Sequence, residues 1–235
     1  DIKLMEIRIN KYLSQCGIDS RRKLETMLWD GEFEVNGERA VPGQIIDPSK
    51  DKITHFKKEI PMPKEFVYIA LNKPLDVVSS NDDEMGRKTV MDLVKSKERL
   101  YPVGRLDKDS TGLILLTNDG DLALKLTHPR YHLPKTYEVT TQEAVFEPQL
   151  RKLAGGVRVM GRKTMPAIVE KTARKSFKIT IHQGMNRQIR KMCNEVHLTV
   201  KDLKRISIGS IQLGNLGSGE FRFLKPEEVE SLKVL

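Results

Sequence analysis

Gly104-Arg105-Leu106-Asp107-Lys108-Asp109-Ser110-Thr111-Gly112 is the stretch on which the reading of this chain turns. Tyr101-Pro102-Val103 leads in. The apolar run Leu113-Ile114-Leu115-Leu116 leads out, followed by Thr117-Asn118-Asp119-Gly120. That run is too short for a helix and is bounded by turn residues, which predicts a core strand. The stretch is therefore a polar loop between two buried strands, rich in carboxylates, cations and small hydroxyls. A hairpin connection with solvated charges is the bland account of such a loop. Loops carried on rigid strands are also where chemistry tends to sit.

The rest of the chain narrows the choice of partner. A length of 235 residues allows one large domain or two of ordinary size, with ample core. A charged fraction of 31% beside 38% hydrophobic residues is that of a globular chain, not a disordered one. The net charge of +9 favours a polyanionic partner, either nucleic acid or an anionic membrane surface. No apolar run approaches bilayer-spanning length, so no membrane role is expected. The N-terminus has no apolar signal core, so no export is expected; Met5 reads as the natural start, with Asp1 to Leu4 as added residues. Cys16 and Cys193 are far apart and in no ligand-like spacing, which predicts a reduced, cytoplasmic setting. Residues 1–60 hold 11 Lys/Arg and 11 Asp/Glu, so the net charge resides in the remainder.

Ile9, Tyr12, Leu13 and Cys16 recur at helical spacing up to Gly17. Ser20 is an N-cap for a second helix with core residues Leu24, Met27 and Leu28, stopped by Gly31. Phe33 and Val35 then alternate with acids before the tight turn Asn36-Gly37, and small strands are expected through Val41, Ile45-Ile46 and Ile53. Arg8, Lys11, Arg21, Arg22 and Lys23 fall on or beside the two helices, where they would serve phosphate contacts. A solvated helix face is the alternative. Lys57 to Lys64, charged and punctuated by Pro61 and Pro63, reads as a linker, which divides the chain into residues 1–60 and 61–235.

The second part opens with a strand from Phe66 into the stiff turn Asn72-Lys73-Pro74. A helix is expected over Gly120 to Leu126, a strand over Lys135 to Val139, a helix around Leu150 and Leu153, and a strand through Phe177, Ile179 and Ile181. A basic helix holding Arg187 to Met192 follows, then strands over Val200 to Ile208 and Gly219 to Leu224, and a helix opened by Pro226. Strands and helices out of strict βαβ order predict an α+β fold. His128 and His132 are spaced for a helical metal pair, but Pro129 and Pro134 argue against one, so no metal is expected. Gly156, Gly161, Lys163 and Thr164 nearly spell a phosphate loop, but Arg162 intrudes and the flanks look like strands. No dinucleotide or adenosyl-methionine loop is found, so no cofactor is expected.

The loop Gly-Arg-Leu-Asp, followed by Ser-Thr-Gly-Leu-Ile-Leu-Leu-Thr-Asn-Asp-Gly, resembles the catalytic loop of pseudouridine synthases of the RsuA branch, which modify ribosomal RNA. Arg8-Ile9-Asn10-Lys11-Tyr12-Leu13, Ser20-Arg21-Arg22 and Gly31-Glu32-Phe33-Glu34-Val35-Asn36-Gly37 resemble the S4 RNA-binding domain, which precedes the catalytic domain in that branch. The match covers nearly the whole chain. Its departures are Gln183-Gly184-Met185-Asn186 in place of the commoner Glu-Gly-x-Asn, and the lack of a long basic C-terminal tail.

The resemblance implies a mixed antiparallel sheet with a cleft across its middle. It also implies isomerisation of uridine: uracil leaves its sugar, rotates and rejoins through C5, with no external group entering. By the match Asp107 is the catalytic aspartate, either as nucleophile or as base. Tyr137, in Lys135-Thr136-Tyr137, matches the tyrosine that stacks on uracil and takes part in proton loss from C5. Arg190, in Asn186-Arg187-Gln188-Ile189-Arg190, matches the arginine that pairs with the aspartate and orients it. Arg105 matches an arginine that holds RNA once the base has left the stack. Lys73 is assigned to packing or phosphate contact, and Arg187 and Lys191 to phosphates. The expected partner is ribosomal RNA, free or in an assembly intermediate, bound by a monomer. The rivals are a non-catalytic S4-domain assembly factor and a different RNA-modifying enzyme such as a methyltransferase.

Overall fold

The structure, a computed structural model, describes residues 6–62 and 65–234. The reading of Asp1 to Met5, and the Pro63-Lys64 end of the expected linker, lie outside those residues. Two compact units are present. The first takes the described residues up to Val67 together with Ser96–Leu100 and Asn118–Gly120; the second takes the remainder.

In the first unit β1 (Ile7–Arg8) runs into α1 (Ile9–Gln15), and α2 (Arg21–Asp30) follows. The strands are β2 (Phe33–Val35), β3 (Glu38–Arg39), β4 (Ile45–Ile46), β5 (Ile53–His55) and β6 (Lys58–Glu59). Ser20 caps α2, its hydroxyl accepting from the Lys23 N–H, and Gly31 ends that helix in the left-handed conformation. Ile9, Leu13, Leu24, Leu28, Phe33 and Ile53 form the core, closed by the Tyr12 hydroxyl donating to the Ile60 carbonyl at 2.6 Å. Two expectations change. Val41 is exposed and outside any strand, because Pro42 follows it and its N–H bonds the Gln44 side chain instead. Lys58 to Ile60 is not linker: β6 pairs with β5, and Ile60 is buried in this core.

The second unit contains β7 (Tyr68–Lys73), β8 (Tyr101–Val103), β9 (Thr111–Thr117), α3 (Gly120–Thr127), β10 (Lys135–Thr141) and α4 (Glu147–Ala154). The hairpin β11 (Arg158–Val159) and β12 (Arg162–Lys163) comes next, which is what the near phosphate loop turns out to be. Then come β13 (Ile168–Ala173), β14 (Ser176–Ile181), α5 (Gln188–Asn194), β15 (Val200–Ile208), β16 (Ile211–Gln212), β17 (Phe221–Phe223) and α6 (Pro226–Lys233). The main sheet has the order β13-β14-β10-β15-β9-β7-β17, antiparallel except for the parallel contact of β15 with β9. The fold is α+β, as the element order predicted. Edge strand β13 has no apolar period, since nearly all its side chains are exposed, so no pattern announced it. Ala70, Val103, Leu113, Leu115, Leu122, Leu126 and Ile208 pack the core beneath the loop.

One detail of the sheet positions the site. β9 uses one edge for β7 over residues 112–117. Its other edge is shared: β8 pairs with Leu115 to Thr117, and β15 pairs with Thr111 and Gly112. The sheet forks there, and the loop 104–110 springs from the fork.

Candidate active site

The backbone of the loop is fixed on both sides of Asp107. Ser110 N–H donates to the Asp107 carbonyl at 3.0 Å, closing a turn over Lys108 and Asp109. The Ser79 hydroxyl donates to the Leu106 carbonyl at 2.9 Å and accepts from the Leu106 N–H at 3.1 Å. Asp76 N–H donates to the Lys108 carbonyl. Leu106 and Ser110 are buried, so Asp107 stands between two buried anchors with its carboxylate 36% exposed. Such support holds the carboxylate to a narrow range of positions.

Gly112 explains how β15 comes close enough to complete the site. Its φ is +102°, and a Cβ there would lie 2.2 Å from the Arg205 carbonyl oxygen and 2.7 Å from the Arg205 nitrogen. Only glycine permits that approach. In the gap of the fork the Leu113 carbonyl takes a hydrogen bond from Arg205 Nε at 2.7 Å. The β10–β15 ladder skips Ile206 between the pairs Thr136↔Ser207 and Tyr137↔Arg205, a bulge that aims Arg205 inward.

Arg205 is 2% exposed and lines a cleft together with Asp107, Lys135 and Tyr137. Its Nη1 donates to the Tyr137 hydroxyl at 3.4 Å, and its guanidinium carbon lies 5.9 Å from the Tyr137 ring centroid. Its Nη2 is buried without a hydrogen-bond partner among the described residues. A buried donor with no partner favours an incoming acceptor. Lys135 lies beside it, and burial, helped by the Arg205 charge, pushes the lysine ammonium down to about 8. Sequence reading gave Arg205 and Lys135 no role. The signal for Arg205 is present in the sequence: it shares strand parity with Leu203 and Ser207, an arginine on an inward face.

Arg190 was expected on Asp107, and here the structure departs from expectation. Arg190 Nη2 donates to the Asp109 carbonyl at 2.6 Å, its Nη1 to the Val200 carbonyl at 3.2 Å, and its Nε stands 3.3 Å from the Asp109 carboxylate. The cation nearest Asp107 is Arg187, at 3.7 Å. Arg187 also grips Asp109 through a two-pronged contact of 2.9 and 2.7 Å. The cause is the helix start. Arg187 is not in α5 but is its N-cap, left-handed at φ 52°, so its side chain crosses to the loop while Arg190 is held against β15. The Arg187 hydrogen bonds, with the charges of Arg190 and Arg187 adding, hold the Asp109 carboxyl below the usual range.

The remaining candidates divide by exposure. Arg105 is exposed at the cleft rim, and Lys191 is half-exposed with its ammonium 3.2 Å from the Asn186 side chain. Lys73 is a correction. It is 0% exposed, its ammonium donates to the Pro74 and Val77 carbonyls at 2.8 Å each, and burial lowers it to about 8 despite the nearby carboxylates. It cannot reach a phosphate, and it serves to close the turn after β7. In the first unit Arg8, Arg21, Arg22 and Lys23 are exposed, and Lys11 is half-exposed. Arg21, Arg22 and Lys23 occupy the first turn of α2, where the helix dipole disfavours cations and an anion would compensate. Lys23 pairs with Asp19 at 2.9 Å. His128 and His132 are exposed and flank a 3₁₀ turn, and no group of three or more metal-ligating side chains occurs among the described residues. No helix among them is long and apolar enough to cross a membrane.

A family model described as RNA pseudouridylate synthase matches residues 67–195, which span Asp107, Tyr137 and Arg190. The chain belongs to the RNA pseudouridine synthase family. It falls in the RsuA branch and is an enzyme that isomerises uridine to pseudouridine in RNA. It is 38% identical over 229 residues to the dual-specificity RNA pseudouridine synthase RluF of Escherichia coli K12, covering 96% of this chain and 78% of that one. It is 37% identical over 235 residues to the ribosomal large subunit pseudouridine synthase B of Bacillus subtilis 168, covering 97% and 96%. A crystal structure of a pseudouridylate synthase superposes with a TM-score of 0.71 at 31% identity, covering 96% of this chain and 99% of that one.

Proposed function

We propose that this enzyme isomerises specific uridines of ribosomal RNA, with Asp107 engaging a nucleoside that has been turned out of the stack. The observation that carries the reading is the placement of Asp107 at the fork of β9, on the same cleft as Tyr137 and Arg205. Freeing the base costs a few kcal/mol, recovered by stacking against Tyr137 and by polar contacts inside the cleft. Asp107 then attacks the nucleoside or deprotonates it. Tyr137, its hydroxyl aligned by Arg205, takes part in removing the C5 proton after the ring has turned. Arg190 acts through the loop backbone at Asp109, holding Asp107 in place indirectly.

Arg105 and Lys191 meet phosphates at the rim, and Arg187 does so once RNA arrives. Residues 1–60 act as an S4-like RNA-binding domain through Arg8, Lys11, Arg21, Arg22 and Lys23, and Ser20 contributes through the cap it gives their helix. Residues 61–235 carry the chemistry. The Bacillus subtilis relative is named for the large ribosomal subunit, which supports large-subunit RNA, free or in an assembly intermediate, as the substrate. The protein acts as a cytoplasmic monomer without a cofactor.

The test is tritium release from ribosomal RNA labelled at C5 of uridine. Wild type should release tritium, while Asp107→Asn should fall by about a thousandfold or more, the scale of losing an acid–base or nucleophilic group. RNA affinity should stay within about tenfold, because phosphate contacts dominate it. Parallel loss of binding and activity would make Asp107 a structural residue instead.

A further inference from the structure

The hairpin of β11 and β12 has no part in the chemistry proposed so far. Its base is rigid. The Thr164 N–H donates to the Val157 carbonyl at 2.9 Å, and the Thr164 hydroxyl accepts from the Val157 N–H at 3.1 Å. A Cβ at Gly156 would lie 2.4 Å from the Thr164 carbonyl oxygen, so only glycine lets the two arms start this close. Val159 is 2% exposed and turns its face of the hairpin into the protein. Arg158 and Lys163 stand directly opposite each other on the other face, and both are exposed. Like charges in that register repel and weaken the pairing of the strands. Neither they nor Arg162 have an ion-pair partner among the described residues. At the tip Met160 is exposed in the left-handed conformation, φ 51°, and its sulfur meets the Lys191 ammonium at 3.1 Å. The same ammonium lies 3.2 Å from the Asn186 side chain, and Asn186 lines the cleft that holds Asp107.

We propose that the β11–β12 hairpin is a further RNA-backbone site, in which Arg158 and Lys163 hold phosphates of the strand that flanks the target uridine on the Lys191 side. The inference deepens the proposed function and rests on RNA entering at the Asp107 cleft. The partner follows from the chemistry. Two facing cations without carboxylates fit anions spaced along one chain, which an RNA strand presents at every nucleotide. Lys191 and Asn186 continue the polar track from the hairpin tip to the cleft, so a strand with its base in the cleft would run along it. Phosphate between Arg158 and Lys163 also offsets their repulsion. The near phosphate loop of the sequence then binds phosphate through side chains of a hairpin, and not through the backbone N–H groups of a glycine-rich loop. An acidic protein surface is the rival occupant, and binding to protein-free RNA separates the two.

The test measures binding of protein-free ribosomal RNA by the full chain over a range of salt. Arg158→Gln with Lys163→Gln should weaken binding by about tenfold at moderate salt and lower the slope of log affinity against log salt by about 2, one unit per lost phosphate. Its melting temperature should equal or exceed that of wild type, because a repulsion is gone. Arg158→Glu separates fold from binding more sharply. It sets opposite charges across the hairpin, so the melting temperature should rise while the slope falls by as much as in the double variant. As a control, Lys171→Gln with Arg174→Gln removes as much exposed charge from β13 and the turn after it, and should change the slope by less than about 0.5. Hairpin variants whose slope stays within about 0.5 of wild type would overturn the proposal, as would a control that lowers the slope equally. Weakened binding together with a melting temperature well below wild type would make the two cations structural, which overturns it as well. Tritium release by wild type on the same RNA tests the uridine reading by itself, and the slope decides the hairpin with or without it.

Discussion

Two basic regions of this chain use their cations in opposite ways. Around the loop 104–112 four cations are committed to protein, with Arg105 left exposed at the rim: Lys73 to two carbonyls, Arg205 to Leu113 and Tyr137, Arg190 to Asp109 and Val200, Arg187 to Asp109. In residues 8–23, Arg8, Arg21 and Arg22 stand exposed on or before short helices. The first arrangement fixes geometry through hydrogen bonds to protein and contributes to stability. The second leaves charge available to any anion, and affinity comes without fixed geometry. A positive net charge alone does not distinguish the two; burial and hydrogen-bond partners do.

That contrast can be broken most severely at Lys73. Lys73→Ala removes a fully buried side chain and strands two carbonyls, so the protein should lose about 3 kcal/mol of stability. RNA affinity of the folded fraction should stay within about twofold. Chemical denaturation and RNA binding on the same preparation check this. A stable variant with weakened RNA binding would return Lys73 to the phosphate-binding group. At the other pole, Arg21→Gln with Arg22→Gln should leave the melting temperature unchanged and weaken RNA binding by about tenfold at moderate salt. The slope of log affinity against log salt should fall by about 2, one unit per lost phosphate contact. The saturated rate of isomerisation should not move. A change in that rate would mean that the exposed cluster also sets the pose of the substrate.

A pH-dependent effect sharpens the boundary between the two groups. Lys135 is pushed down to about 8 in the folded protein against 10.5 ordinarily, because it is half-buried beside Arg205. Between those values the unfolded chain binds the proton and the folded chain does not, so this lysine's contribution to stability rises with pH from about 8 to about 10.5. Lys135→Met lacks the titration. Its stability relative to wild type should therefore be most favourable near pH 7 and lose ground by pH 10, as denaturation midpoints at the two values would show. A constant difference would place the ammonium in water.

How much of this was legible follows the same divide. Strands such as Leu113 to Leu116 and Phe177 to Ile181 announce themselves by composition and period, because burial of a sheet face forces apolar alternation or apolar runs. The helix start at Ser20 and the stop at Gly31 are local events and were readable. The arginine pairing was not. Whether Arg187 or Arg190 meets a loop far behind it depends on a left-handed cap residue, and Arg-Gln-Ile-Arg contains no local sign of one. Lys73 was open between packing and phosphate contact, because a lysine's burial is decided by the turn that wraps it. Asp109 lay in plain view in the loop, but its contacts with two guanidiniums are supplied only by the fold.

Gly112 looks like punctuation at the end of a loop motif. In the folded chain it is a clearance between two strands whose residues lie far apart in sequence, set by the backbone of Arg205 passing where a methyl group would be. The motif therefore stores information about a distant partner. Any substitution at 112 must be matched by a retreat of β15, which would carry Arg205 away from Tyr137. The loop that presents the carboxylate and the strand that supplies the buried cation are thus constrained to change together or not at all.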